Sequence, residues 1–221
     1  MNSEDVAAYL KQHPEFFEQY AEMIAGINIP HPHGGRTIPI SERQMLTLRE
    51  KSKQLEAKLR EIIQFGEEND ALGEKMHAIS LTLLRARDAA SVIDAVAQRL
   101  REDFAVPQVA LRLWCGAPAG LAAHAAFEPV SDATRQFVMA LSEPSCGAEA
   151  AAGTATLFGA AAPLLSSFAI VPIRDGGDGA FGVLVLASEE PRRYYAGMGA
   201  LYLSRLGGLI GCALAAHLPP A

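Results

Sequence analysis

The feature that most constrains this chain is a run of apolar residues, alternately three and four apart, that opens just behind a helix-start signal. Ser41-Glu42-Arg43-Gln44 has the form of a capping box, with Ser41 as cap and Gln44 reaching back, and Ile40 and Met45 stand at the two positions of a hydrophobic staple. From there Met45, Leu48, Leu55, Leu59 and Ile62 mark the seam of a coiled coil, with Ser52 at its one polar position. The flanks are charged, and Glu56 with Arg60 makes a favourable i,i+4 pair. Phe65 then arrives three residues after Ile62, where four is due. This stammer turns the seam around the helix before Asn69, Leu72, Met76, Ile79 and Leu83 continue it. An Asn on a seam favours one register and a small oligomer, while Gly66 and Gly73 each weaken the helix by ~1 kcal/mol against Ala. A lone helix of about forty residues draws its stability in water from packing. The seam therefore needs a partner. The simplest is the same helix of a second copy, so a homodimer is expected; the other is the C-terminal helix of the same chain, and both can hold together.

What surrounds the seam bounds the class. With 221 residues, half of them apolar and a fifth charged, there is room for one globular domain with a core plus a helical extension. A net charge of −6, with no cluster of Lys and Arg among aromatics, argues against a nucleic-acid surface. Cys115, Cys146 and Cys212 are odd in number and lack CxxC spacing, so neither a disulfide framework nor a zinc site is expected and a reducing, cytoplasmic compartment fits. The N-terminus, MNSEDVAAYL, is acidic where a secretory signal is basic. The longest apolar stretch, Met198 to Leu218, carries Arg205 near its centre and reads as a buried helix instead of a membrane span.

Residues 3–27 read as two short helices, the first capped by Ser3 and the second opening at Pro14, with Phe16, Phe17, Tyr20, Met23, Ile24 and Ile27 on an apolar side that has to be covered. Residues 28–39, rich in Pro and Gly, read as a loop, and His31-Pro32-His33 within it lacks a third ligand for a metal. From Ala89 the pattern turns to mixed α and β. Val92, Ile93, Val96, Leu100 and Phe104 give an amphipathic helix, and Val109, Leu111 and Leu113 a half-buried strand. Leu121 to Phe127 is expected as a second strand, Ser131 caps a helix, and 143–153 is a loop; 154–165 fit no one pattern. Phe168 to Ile173 and Phe181 to Leu186 are apolar strands joined by a Gly-rich turn into a hairpin at the centre of the sheet. A helix from about Met198 to His217 ends the series. The expected fold is an α+β antiparallel sheet flanked by helices, divided as 1–40 (helices and loop), 41–88 (dimerisation coil) and 89–221 (globular domain).

Several stretches together resemble the bacterial domain of unknown function 484 family over nearly the whole length. They are Val6-Ala-Ala-Tyr-Leu-Lys-Gln-His-Pro-Glu-Phe-Phe17, Ile29-Pro-His-Pro, Ser41-Glu-Arg-Gln44 with Leu48-Arg49, and Leu100-Arg-Glu-Asp-Phe104. Phe168 to Pro172, Gly182-Val-Leu-Val-Leu-Ala-Ser188 and Tyr195-Ala-Gly-Met-Gly199 complete the set, with Tyr194-Tyr195 standing where a Phe is the family habit. The region from about residue 89 also looks like a GAF domain, a small-molecule-binding and dimerising fold of bacterial signalling. The resemblance implies architecture and leaves activity open.

Catalytic signatures are missing: there is no GxSxG, HExxH, P-loop or GxGxxG. Gly176-Gly177-Asp178-Gly179 is hairpin chemistry, and Gly207, Gly208 and Gly211 read as close helix packing. No enzyme activity, metal or cofactor is expected. The candidate ligand contacts are Arg112, Trp114, Phe127, Cys146 and Phe168. Arg112 faces away from the Val109, Leu111 and Leu113 side of its strand and reaches a pocket if the sheet's second face is covered. Cys146, in Pro144-Ser145-Cys146-Gly147, would need His124 as a base to be reactive; a half-buried, inert thiol is the plainer reading, and Cys115 and Cys212 look like core. Two functions remain, a small-molecule sensor that alters the coil and a ligand-free scaffold that docks a protein partner through its aromatic N-terminal helices. Convergent polar groups at a cavity favour the first and a filled interior the second. No effector domain follows the globular region, so a signal is expected to pass to a separate protein or through the N-terminal region.

Overall fold

A computed structural model of the chain describes residues 2–30, 37–149, 151–177 and 179–219, with backbone alone at 25–26, 28–30, 37–42 and 152. Two compact units divide it, Met1–Asn69 and Asp70–Ala221, the second beginning inside a long helix.

The first unit opens with α1 (Ser3–Gln12), α2 (Glu15–Gln19) and α3 (Ala21–Gly26). The cap of α1 is Asn2 and not Ser3. The Asn2 side chain accepts the Asp5 N–H at 2.8 Å and the Asp5 carboxylate accepts the Asn2 N–H at 2.9 Å. Ser3 cannot build this box, because the residue three further on is Val6, which has no acceptor to return. The single helix expected beyond Pro14 breaks at Tyr20 (φ −116°, ψ 29°) into α2 and α3. Phe16 stacks on Tyr20 at 4.8 Å, while Phe17, Tyr20 and Met23 stay about half exposed. Residues 28–39 are not simply a loop. Strands β1 (Asn28–Pro30) and β2 (Thr37–Pro39) pair antiparallel with Ile29 opposite Ile38, and a two-stranded ribbon has free edges that accept the prolines. His31-Pro32-His33 lies outside the described residues.

Helix α4 (Ile40–Arg85) follows at once, and the side chain of its expected cap, Ser41, also lies outside the described residues. The seam divides along its length. Met45, Leu48, Leu55, Leu59, Ile62 and Phe65 are 53–67% exposed, whereas Met76, Ile79 and Leu83 are buried in the second unit's core. One apolar stripe thus meets two environments.

In the second unit α5 (Ala89–Glu102) is capped by Asp88, whose carboxylate accepts the Ser91 N–H at 2.8 Å and the Ser91 hydroxyl at 2.6 Å. Val92, Ile93, Val96 and Leu100 form its buried face. Then come β3 (Gln108–Leu113), a 3₁₀ turn (Ala125–Phe127), α6 (Asp132–Ala140) capped by Ser131, β4 (Ser145–Gly147) and a 3₁₀ stretch (Ala151–Leu164). Strands β5 (Ser167–Ile173) and β6 (Gly182–Ser188) and helix α7 (Leu201–Ala215) complete the unit. The sheet runs β3-β6-β5-β4, antiparallel throughout. Strands β5 and β6 are central and buried at every position, as expected of the hairpin, with Ser167 opposite Ser188. One face packs on α4, α5 and α7 through Ile79, Val96, Leu184, Ile210 and Leu214. The other carries Phe168, Ile170, Val183 and Val185, packed against Val138 of α6 and the 3₁₀ stretch. The chain therefore has the mixed α+β fold expected, with a long helix ahead of a four-stranded sheet.

Two expected elements differ. Leu121 to Phe127 is not a strand. The His124 ring accepts the Ala126 N–H at 3.1 Å and Gly120 sits at φ 86°, so the segment turns beside β3 without a ladder. The 143–153 loop contains β4, which pairs Cys146 with Ala169 on the outer edge of β5. Among the described residues no helix is long and apolar enough to cross a membrane.

Candidate ligand cavity at the free edge of strand β3

Strand β3 pairs with β6 on one side only, and its other edge decides the local chemistry. The Trp114 N–H donates to the Phe181 carbonyl at 3.0 Å, towards β6. The alternation of ladder groups then turns the Leu111 carbonyl to the free edge. Arg112 satisfies it, Nη1 donating at 3.0 Å, while Nη2 donates to Glu128 Oε2 at 2.9 Å. Arg112 is only 9% exposed, yet its Nε–H has no partner. A buried guanidinium with an unbonded donor is costly, since desolvation removes its water and nothing replaces it.

The neighbourhood repeats the pattern. Trp114 anchors its ring by donating Nε1–H to the Ala180 carbonyl at 2.8 Å, and the Arg135 guanidinium lies 5.6 Å from the ring centre. Arg135 Nε is buried without a partner, as is the Thr154 hydroxyl on the 3₁₀ stretch. Side chains three apart eclipse on a 3₁₀ helix, so Thr154 shares a side with Leu157. Leu157 in turn lines a cavity of about 300 Å³ together with Arg112, His124, Ala126, Asp94 and Arg101. A cavity of about 490 Å³ opens elsewhere, at Trp114, Cys115, Asp175, Phe181 and Leu218.

Of the five residues singled out from sequence, Arg112 lies on β3 and Trp114 just beyond its end. Phe127 packs against the core beneath the helical face, and Phe168 lies in the opposite core. Cys146 packs against the first core, and burial pushes its thiol up from the ordinary range, as it does for Cys115. His124 is engaged with its own turn. Cys212, expected in the core, is exposed because it falls on the outer side of α7, between the buried Gly211 and Leu214. Iodoacetamide at pH 7 is therefore expected to leave Cys115 and Cys146 unmodified in the folded protein and to label both in urea, read by peptide mass mapping; rapid native labelling of Cys146 would contradict this. Glu128, Arg135 and Thr154 were not legible as site residues. They come from three separate segments, and no local spacing links them. Among the described residues no group of three or more His, Cys, Asp or Glu side chains could hold a metal ion.

A four-stranded antiparallel sheet covered on both faces, preceded in the chain by a long helix and with an arginine-lined cavity at its open edge, defines a mixed α+β fold. A family model described as a protein of unknown function, DUF484, matches residues 1–216, and the chain belongs to that family. It is also similar to the uncharacterized protein YigA of Salmonella typhimurium (strain LT2), 25% identical over 214 residues that cover 91% of this chain and 86% of that protein.

Proposed function

We propose that the protein is a non-enzymatic, dimeric, GAF-like module that binds a small molecule at the free edge of β3 and signals its occupancy to a protein partner. One observation carries the reading: a buried arginine with an unbonded donor lines a cavity of about 300 Å³, within the lower range for small-ligand sites. The route to a partner is physical. Ile93 and Val96 of α5 line the same cavity and belong to the core that holds Met76, Ile79 and Leu83 of α4. A ligand that shifts α5 would thus be felt at the end of the long helix, whose exposed seam is suited to a second copy.

The scaffold reading has its own support. Both faces of the central strands are filled by the protein's own side chains, as a ligand-free interior would be. Native mass spectrometry of gently purified protein separates the two. A dimer with a reproducible added mass is the expected result; a bare dimer moves the weight to the scaffold, and a bare monomer removes the dimer from both.

A further inference from the structure

We infer that the cavity at the free edge of β3 takes an anion, a carboxylate or phosphate group whose oxygen accepts the Arg112 Nε–H. This rests on the ligand-binding reading above and names the chemistry of the ligand. An arginine presents a side edge made by Nε and Nη2, matched to two oxygens of one oxyanion. Glu128 fills only half of that edge: its Oε2 takes Nη2 at 2.9 Å, and Nε is left open. The Glu128 side chain is 60% exposed, so it can swing to water when a better acceptor arrives. It behaves as a weak internal substitute for the ligand.

The surrounding charge agrees. Arg112 and Arg101 line the cavity with Asp94 as its one carboxylate. Outside the cavity lining, in the layer between the sheet and α6, Arg135 has a buried Nε and Thr154 a buried hydroxyl without a partner. The open Arg112 Nε–H calls for an acceptor at the cavity. A cation would meet Arg112 directly, and an apolar ligand would leave the Arg112 Nε–H unpaired. The volume suits a small organic acid or phosphate ester and is too small for a polymer.

The test is a proton–nitrogen NMR titration of the arginine Nε–H signals in the full-length protein. Inorganic phosphate and sodium acetate are the probes, with sodium chloride at matched ionic strength as the control. The Arg112 signal, assigned by its loss in Arg112→Lys, is expected to move with one probe and to saturate, and the more effective probe tells phosphate from carboxylate. Arg112→Lys keeps the charge and loses the side edge, so binding should weaken about ten- to hundredfold. The exposed Glu128→Gln, which removes the competing carboxylate, should tighten binding and reports even where the arginine variant fails to fold. An Arg112 signal that stays still, or follows chloride equally, overturns the inference. A neutral or cationic molecule retained in native mass spectrometry overturns it while leaving the ligand-binding reading intact; no retained mass together with a still signal removes both.

Discussion

Gly211→Ala is expected to unfold the second unit or leave it severely destabilised, although it adds a single methyl group to a helix. A β-carbon on Gly211 would overlap the Arg174 backbone just beyond β5, its carbonyl first. Backbone cannot rotate aside as a side-chain tip can, so either α7 lifts from the sheet or β5 shifts. Overpacking ordinarily costs about 1–3 kcal/mol. A clash with backbone against which α7 packs should exceed ~3 kcal/mol, which lowers the melting temperature of a unit this size by about 10 °C. Gly208→Ala is the control. It lies on the same helix with nothing within 4 Å of the added carbon, and Ala is the better helix former by up to ~1 kcal/mol. Thermal unfolding by circular dichroism should show the first variant falling and the second holding or rising. Equal behaviour of the two would mean that α7 does not pack on β5 as described.

The second large effect belongs to the seam. Leu55→Glu combined with Leu59→Glu is expected to abolish the dimer proposed above, read by light scattering as a mass of 23.5 kDa, that of one chain. Both side chains are more than half exposed in the single chain, so the fold of the second unit should be unchanged. Burial of a leucine contributes about 1.5–3 kcal/mol. A symmetric dimer loses four of them, weakening association on the order of 10⁴-fold or more. Wild-type protein that is already monomeric, or a double variant that stays dimeric, would remove the seam as the dimer contact.

Much of the fold was legible because local and nonlocal demands agree. Phe168 to Ile173 and Gly182 to Ser188 are apolar at nearly every position, and only a strand covered on both faces tolerates that; the structure buries all of them. The Ser131 cap was readable because the signal is local, the Thr134 N–H reaching Ser131 Oγ at 3.1 Å. The failures are equally specific. An Ala-rich segment such as Leu121 to Phe127 carries no period, so the His124 bond and Gly120 decided its turn. β4 is three residues long and exists because β5 offers it an edge. The three helical glycines read alike in sequence; structure separates Gly207 and Gly211, which face backbone or β5 side chains, from Gly208, which faces open space.

By itself the sequence determined the periodic elements: the seam of α4, the amphipathic face of α5, the central hairpin, the Ser131 cap, and the even alternation that sends Arg112 to the face opposite Leu111. Those signals lie within a few residues of one another, where side-chain direction follows from backbone period. Tertiary structure alone decided which half of the seam is covered and which Cys is exposed. It also brought Arg112, Arg135 and Thr154 to the cover of one sheet face, each with a donor left open. A partner's absence is a property of everything packed around a group, and residues on a strand, a helix and a 3₁₀ stretch are related only once the sheet has closed beneath them.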